Sequence, residues 1–438
     1  MELGDALAWL DGHMNLERIL NMARTGPPNP RRMQGLVDVL GHPEQAYPVI
    51  HVTGTNGKTS TSRAICQLLM AKGLSVGVYS SPHLETINER ISVDNEPIPD
   101  DDFAAVLSDI ALLEELALKD PAVGEGERLS WFEIMTGAAL RYFADRPVDI
   151  AVVEVGIGGR WDATNVVTAA VAVITMIGLD HAELLGPTRA HVAGEKAGII
   201  TPGAPLVLAE RDPELLGIFE AERPEPLLLA GRDWEVEGNE LAVGGRLLDL
   251  RTPRARYPQL FLDLHGRHQA HNFATALVAV EAFFDAPVEA DLVAEAAATV
   301  ASPGRLEVVG RQPLIVLDGA KNVEGARAAA VAVAEEFGDA ASRILVVGLL
   351  AGKDPTEMLE ALGVRGARLL VLCAPDTPRA QDAGDLAAVA TRFGVRTEVA
   401  DSVAEALDIA KEAAAPDDVI LVSGTLYVVG AARAALER

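Results

Sequence analysis

Residues 51–69, HVTGTNGKTSTSRAICQLL, restrict the possible architecture more than any other part of the chain. Val49 to Val52 is a short apolar run that reads as a buried strand. Ala64, Ile65, Leu68 and Leu69 fall on one face of a helix expected from Thr59 to Lys72, and Gly73 is placed to stop it. Between strand and helix lie Gly54, Thr55, Asn56, Gly57, Lys58, Thr59 and Ser60. Such a junction gathers backbone N–H groups and the positive end of the helix dipole around an anion. Gly54 and Gly57 permit a close backbone approach, Lys58 can meet terminal phosphates, and Thr59 or Ser60 can offer a hydroxyl to Mg²⁺. The usual phosphate loop places a glycine five residues before Gly57, where this chain has Val52. The site is therefore either a damaged nucleotide loop or a loop of a different kind.

Apolar strand-like runs alternate with helical patterns through most of the chain, which predicts an α/β protein with largely parallel sheets. At 438 residues two domains are expected. The first, 1–302, is a phosphate-loop domain built on a mostly parallel sheet, with strands near Val148 to Val155 and Ala170 to Met176. A small β-rich appendage is expected at about 205–264, where Gly244 and Gly245 suggest a hairpin. After SPGR at 302–305 a new α/β rhythm begins, with strands at LIVLD, ILVVG, RLLVLC and DVILVS, so a Rossmann-like domain is expected over 303–438.

A formal charge of −27 opposes non-specific attraction to nucleic acid or anionic lipid, while leaving room for an anionic small substrate held by local cations. The stretch DNEPIPDDD at 94–102 reads as a solvated loop. No apolar run reaches 18 residues, and MELGDALAWLDGH carries acids where a signal peptide carries Lys or Arg, so a cytoplasmic protein is expected. Cys66 and Cys373, the only cysteines, lie far apart in apolar surroundings and read as core residues.

Glu154, in VDIAVVEVGIGGRWDATN, is the one acid inside an apolar strand, a costly position unless it is paired or binds metal. The strand then emerges into glycines, as expected where backbone lies close to a ligand. VAVITMIGLDH ends in Asp180 and His181, and ligands of open α/β sheets bind beyond the carboxyl ends of strands. Read from the residues alone, Lys196 of EKAGI forms a surface pair with Glu195.

These segments, taken together with SSPHL, NERI, SWFE, LDHAELLG, GRHQAHNFATAL, SPGRLE, LDGAKN and SGTLYVVG in the same order, resemble the Mur ligase superfamily, and within it the folylpolyglutamate synthases and dihydrofolate synthases. The resemblance implies that the late glycine is normal for a shortened G-T-N-G-K loop. It implies an ATP-dependent ligase that activates a carboxylate as an acyl phosphate and joins it to L-glutamate, with dihydropteroate or a folate as the acid. By the same resemblance Ser81 and Glu154 hold one Mg²⁺; Glu154, His181 and a carbamylated Lys196 surround a second. Asn272 then lies on the adenine side, Arg305 on phosphate and Asp318 on the ribose. Ser130, Trp131, Phe132 and Glu133, with Trp161, Asp162 and Ala163, match segments that line the pteroate region. The implied working unit is a monomer whose site forms between the two domains, with Lys58, Glu154, His181 and Lys196 carrying the chemistry.

Two positions depart from the family pattern: Lys321 stands where His is usual in DGAHN, and GKD at Gly352 to Asp354 replaces DKD. His83 is one possibility for the base that deprotonates the incoming amine. Two other readings remain open: a ligase that adds an amino acid to a non-folate carboxylate, and a nucleotide-hydrolysing switch module. The switch has no evident need for SWFE, DATN and EKAGI together.

Overall fold

In the computed structural model, residues 1–19, 29–119, 123, 127–338, 340–436 are described. The sequence's alternation of apolar strands and amphipathic helices resolves into three sheets. The first contains β1 (Val49–Thr53), β2 (Val76–Tyr79), β3 (Ile91–Val93), β4 (Glu96–Pro97), β5 (Ile150–Glu154), β6 (Ala169–Ile174), β7 (Leu206–Leu208) and β8 (Leu227–Leu229). Their spatial order is β4-β3-β2-β5-β1-β6-β7-β8; the β2–β3 and β3–β4 pairs are antiparallel and the others parallel. A strand covered on both faces needs apolar side chains on both. Accordingly Ile50 and Val52 pack with the helices Lys58–Ala71 and Arg267–Phe284, while Val49 and Val153 face the helix Trp131–Asp145.

The second sheet is β9 (Glu235–Ala242), β10 (Gly245–Arg251) and β11 (Arg256–Leu262), all antiparallel. It is the expected small β-rich appendage, with bounds narrower than 205–264: its strands lie within 235–262. The runs at 206–208 and 227–229 are the outer parallel strands of the first sheet, with a helix, Pro213–Glu220, between them. Short apolar strands look alike in sequence whichever sheet they join, so only their pairing separates them. The hairpin lies at Val243 and Gly244, with Gly245 already paired to Ala242 and Gly244 at φ +82°.

The third sheet holds β12 (Arg305–Arg311), β13 (Leu314–Asp318), β14 (Arg343–Val347), β15 (Leu369–Leu372), β16 (Thr397–Val399) and β17 (Val419–Ser423), ordered β12-β13-β17-β14-β15-β16. All its pairs are parallel except β12–β13, and apolar clusters cover both faces.

The acidic stretch 94–102 is not simply a loop. Asp94 accepts the Val76 N–H at 2.7 Å, Glu96–Pro97 forms the sheet edge, and Asp100, Asp101 and Asp102 make the first turn of the helix Asp100–Ala117. Carboxylates suit the positive end of a helix, so the charge run serves as a helix start. Cys66 and Cys373 are both buried. Among the described residues no helix is long and apolar enough to cross a membrane.

Candidate active site

The carboxyl ends of β1, β5 and β6 deliver the loop 54–57, Glu154 and the segment leading to His181 to one region, as parallel pairing of these neighbours requires. The loop is tightly determined. Gly54 has φ +150° and Gly57 φ +85°; a Cβ on Gly57 would lie 2.5 Å from Asn272 Oδ1. Thr55 Oγ1 donates to Gly178 O at 3.0 Å and accepts the Gly178 N–H at 2.9 Å. Asn56 Oδ1 accepts from Asn322 Nδ2 at 3.0 Å, which ties the loop to the helix Val323–Glu336 beside the third sheet.

Lys58 Nζ donates to Gly54 O at 3.1 Å, and desolvation, assisted by Lys321, lowers its pKa to about 8. Of the two candidate hydroxyls, Thr59 Oγ1 donates to Glu154 Oε1 at 3.1 Å, whereas Ser60 Oγ lies against Ser302 Oγ at 2.9 Å. The helical turn between them points Thr59 toward the carboxylate and Ser60 into the packing with Gln269.

Glu154 is 1% exposed and its Oε2 has no hydrogen-bond partner. Burial raises its pKa, opposed by Lys58 and Thr59. An orphaned carboxylate oxygen in such a setting is a group waiting for a ligand or ion. His181 adopts φ +51°, and burial lowers its pKa to about 3, leaving the imidazole neutral. Burial also raises the Asp180 carboxyl, but His181, Lys321 and Lys353 outweigh it and hold the pKa well below normal; Lys353 Nζ donates to Asp180 Oδ1 at 2.6 Å.

Lys196 corrects the reading of a surface pair with Glu195. It is 4% exposed, its Nζ reaches Thr53 Oγ1 at 3.4 Å, and Glu195 Oε1 instead accepts the Trp161 N–H at 3.1 Å. Helical periodicity turns Lys196 inward from the Arg189–Lys196 helix, and desolvation, with Lys58 nearby, lowers its pKa to about 7.

Two cavities meet here. The larger is bordered by the glycine loop 54–57 and Glu154 on one side and by Asn272, Arg305 and Asp318 on another. Arg305 and Asp318 pair across β12 and β13; Asp318 accepts N–H groups of Leu306 and Ala320, and burial, opposed by Arg305, raises its pKa to about 6. The other cavity runs past the aromatic residues Trp131, Phe132 and Trp161 and past Ala163. Lys58, Ser81, Pro82 and Lys321 border both, so this is where contents of the two spaces can touch.

The residues expected to line the second cavity divide by duty. Ser130 and Glu133 form a capping box on the helix Trp131–Asp145, and Glu133 is ion-paired with Arg32. Asp162 accepts from Thr164 N and Ile157 N, so its carboxylate holds the loop. Trp131 is buried beneath Arg90, 4.7 Å from its ring centre, whereas Trp161 is half-buried and lies over Gly158. His83 Nδ1 accepts from Arg90 Nε at 2.9 Å, and burial together with Arg90 lowers its pKa to about 4. Arg379, Thr425 and Tyr427 also line this cavity and were not singled out in the sequence; the last two belong to SGTLYVVG, while Arg379 carries no motif signal.

Residues 304–426 match the Mur ligase, glutamate ligase domain family. The chain is 40% identical over 438 residues to the dihydrofolate synthase/folylpolyglutamate synthase of Mycobacterium tuberculosis, covering 93% of this chain and 89% of that protein. The Mycobacterium tuberculosis folylpolyglutamate synthase complexed with ADP superposes with a TM-score of 0.91 at 37% identity, over 100% of this chain and 98% of that one. Escherichia coli FolC in complex with DHPP and ADP gives 0.85 at 29% identity, over 100% and 98%.

Proposed function

The chain belongs to the dihydrofolate synthase/folylpolyglutamate synthase family, and from that premise we propose that it joins L-glutamate to dihydropteroate and to reduced folates, using ATP. The observation that carries this reading is the meeting of two cavities at Lys58, Ser81, Pro82 and Lys321. ATP occupies the larger space with its γ-phosphate at the junction, and the acid occupies the aromatic one with its carboxylate at the same place.

A carboxylate oxygen attacks the γ-phosphorus, ADP leaves, and an acyl phosphate forms. The glutamate amine, having lost a proton, attacks the acyl carbon; the tetrahedral intermediate collapses and inorganic phosphate departs with the bonding electron pair. Bringing two anions together is the principal obstacle, and fixed positive charge relieves it. Lys58 and Lys321 supply that charge at the junction of the two cavities.

The donors present fit Mg²⁺. Among the described residues no group of three or more His, Cys, Asp or Glu is arranged to hold a metal by itself. Magnesium typically takes one or two protein oxygens and completes its shell with phosphate and water. Ser81 and Thr59 with Glu154, whose Oε2 is unpartnered, would hold one ion; Glu154, neutral His181 and a carbamylated Lys196 would hold a second. Bound there, the ions supply further positive charge to the phosphate oxygens. Lys196 supports this role because a pKa near 7 leaves much of its amine neutral, able to add to CO₂ with loss of one proton.

Phosphate release and product mass, measured with ATP, Mg²⁺, glutamate and dihydropteroate and then with each acid omitted, test the proposal. Glutamylated product with release dependent on both compounds is expected. Release indifferent to both would replace it with the nucleotide-hydrolysing switch.

A further inference from the structure

The aromatic cavity carries an arginine without an anionic partner. Four cations line it: Lys58, Lys321, Lys353 and Arg379. Lys353 is committed to Asp180 at 2.6 Å, and Lys58 and Lys321 also border the nucleotide space. Arg379 borders the aromatic cavity alone. The carboxylates on the same wall are engaged elsewhere. Glu17 is held by both terminal nitrogens of Arg90, at 2.7 and 3.0 Å, Glu133 by Arg32, and Asp162 by backbone N–H groups.

Arg379 itself makes two long contacts with backbone carbonyls, Glu17 O at 3.4 Å and Ala351 O at 3.5 Å, and its Nε is buried with no partner. No carboxylate among the described residues ion-pairs with it. Its backbone is firmly placed nonetheless. The Ala351 N–H donates to Arg379 O at 2.7 Å, and Gln381 Nε2 donates to Leu350 O and Lys353 O, each at 2.9 Å. A guanidinium left short of acceptors on a rigid support, facing a cavity, is arranged to receive a ligand.

The chemistry of the second substrate says which ligand. An amino acid that must present a free amine to the acyl carbon cannot be held by that amine, so its carboxylates are its only charged handles. A planar fork of donors matches a carboxylate in two parallel hydrogen bonds. We propose that Arg379 is the receptor for a carboxylate of the incoming acidic amino acid, and so selects glutamate over its amides. The inference rests on the ligase reading above and assigns the amino-acid side of that site.

The test compares the wild type with Arg379→Ala and Arg379→Lys, using glutamate, glutamine and the α-amide of glutamate as acceptors. Arg379→Ala should raise KM for glutamate by about tenfold or more, as loss of a buried charge partner does, with KM for ATP and dihydropteroate within about twofold. Its preference for glutamate over one of the two amides should fall by a similar factor, with partial recovery in Arg379→Lys. A separate readout is the rise in Tm that glutamate produces in the presence of Mg²⁺ and a non-hydrolysable ATP analogue, which should vanish in Arg379→Ala. Unchanged discrimination against both amides, or a KM increase confined to dihydropteroate, overturns the assignment and makes Arg379 an interdomain strut. A wild type that forms no product but loses its glutamate-induced Tm rise on Arg379→Ala would keep the receptor and discard the ligase.

Discussion

Thr59 Oγ1 donates a 3.1 Å hydrogen bond to one oxygen of Glu154, while the other oxygen of that buried carboxylate has no partner. One half of the group is thus oriented by the phosphate-loop helix and the other half is free to engage what enters the cavity. A core that served stability alone would not retain a carboxylate in this condition, because desolvation without full compensation is costly.

Glu154→Gln should lower kcat by about 10²–10³-fold, the usual cost of removing a group that stabilises charge at the reacting centre. It should not lower Tm at pH 8. Burial raises the Glu154 pKa, so the carboxyl's contribution to stability is complete below its ordinary value of 4.5 and is lost as pH rises through the raised value. A neutral amide escapes that loss. Thermal melts at pH 8 and pH 4 check the sign: the variant's advantage should shrink at the lower pH.

Lys196→Ala should abolish turnover and should do so equally with and without bicarbonate. The wild type, in contrast, should lose activity in CO₂-free buffer and regain it on adding bicarbonate, because a buried amine with a pKa near 7 is nucleophilic at physiological pH. Steady-state rates in degassed and supplemented buffers decide this, and retained activity in the Ala variant would remove Lys196 from the site.

Gly57→Ala is expected to eliminate ADP binding measured by calorimetry. The new Cβ would stand 2.5 Å from Asn272 Oδ1, and φ of +85° costs a non-glycine residue about 1–2 kcal/mol. Stability should therefore fall by that modest amount, while nucleotide affinity collapses because the loop and Asn272 can no longer both keep their places.

The two tryptophans beside the aromatic cavity should behave differently. Trp131 is a core residue, and Trp131→Ala should cost about 3–5 kcal/mol in a denaturant melt. Trp161 is half-buried over Gly158; Trp161→Ala should leave most of the stability and raise KM for dihydropteroate, with KM for ATP unchanged. Equal effects on both KM values would take Trp161 off the acid side.

Asp318 supplies a pH test. Burial lifts its pKa from 3.8 to about 6, so its stabilising contribution is fully present below pH 3.8 and disappears as pH rises through about 6. Asp318→Asn should consequently gain on the wild type by on the order of 3 kcal/mol between pH 4 and pH 8, an upper bound because the amide must still accept from Leu306 and Ala320. Melts across that range should show the gain, with weakened ATP binding measured in parallel.

Much of the site was legible because its segments obey local rules. A strand, two glycines, a lysine and a helix start at 49–72 point to an anion-binding junction, and Glu154 stands out as a charge inside an apolar strand. Read from the residues alone, Lys196 pairs with its neighbour Glu195 at the surface, and only the resemblance moves it into the site; the direction of the Arg189–Lys196 helix is what turns it inward. Arg379 was invisible for a different reason: it sits in an ordinary loop after β15, and its meaning lies in the lack of a counter-charge, which is a property of everything around it. Likewise, Leu206–Leu208 and Leu227–Leu229 gave no local sign of which sheet they would join.

By itself the amino-acid order determined the α/β class, the phosphate loop and the kinship with amino-acid ligases, since these depend on periodicity and short motifs read along the chain. Only the tertiary structure decided that Thr59 rather than Ser60 faces Glu154, that Lys196 is buried, and that two cavities join at Lys58 and Lys321. Burial, the shifts in proton affinity it causes and the matching of charges all depend on residues far apart in the chain, and no local pattern encodes them.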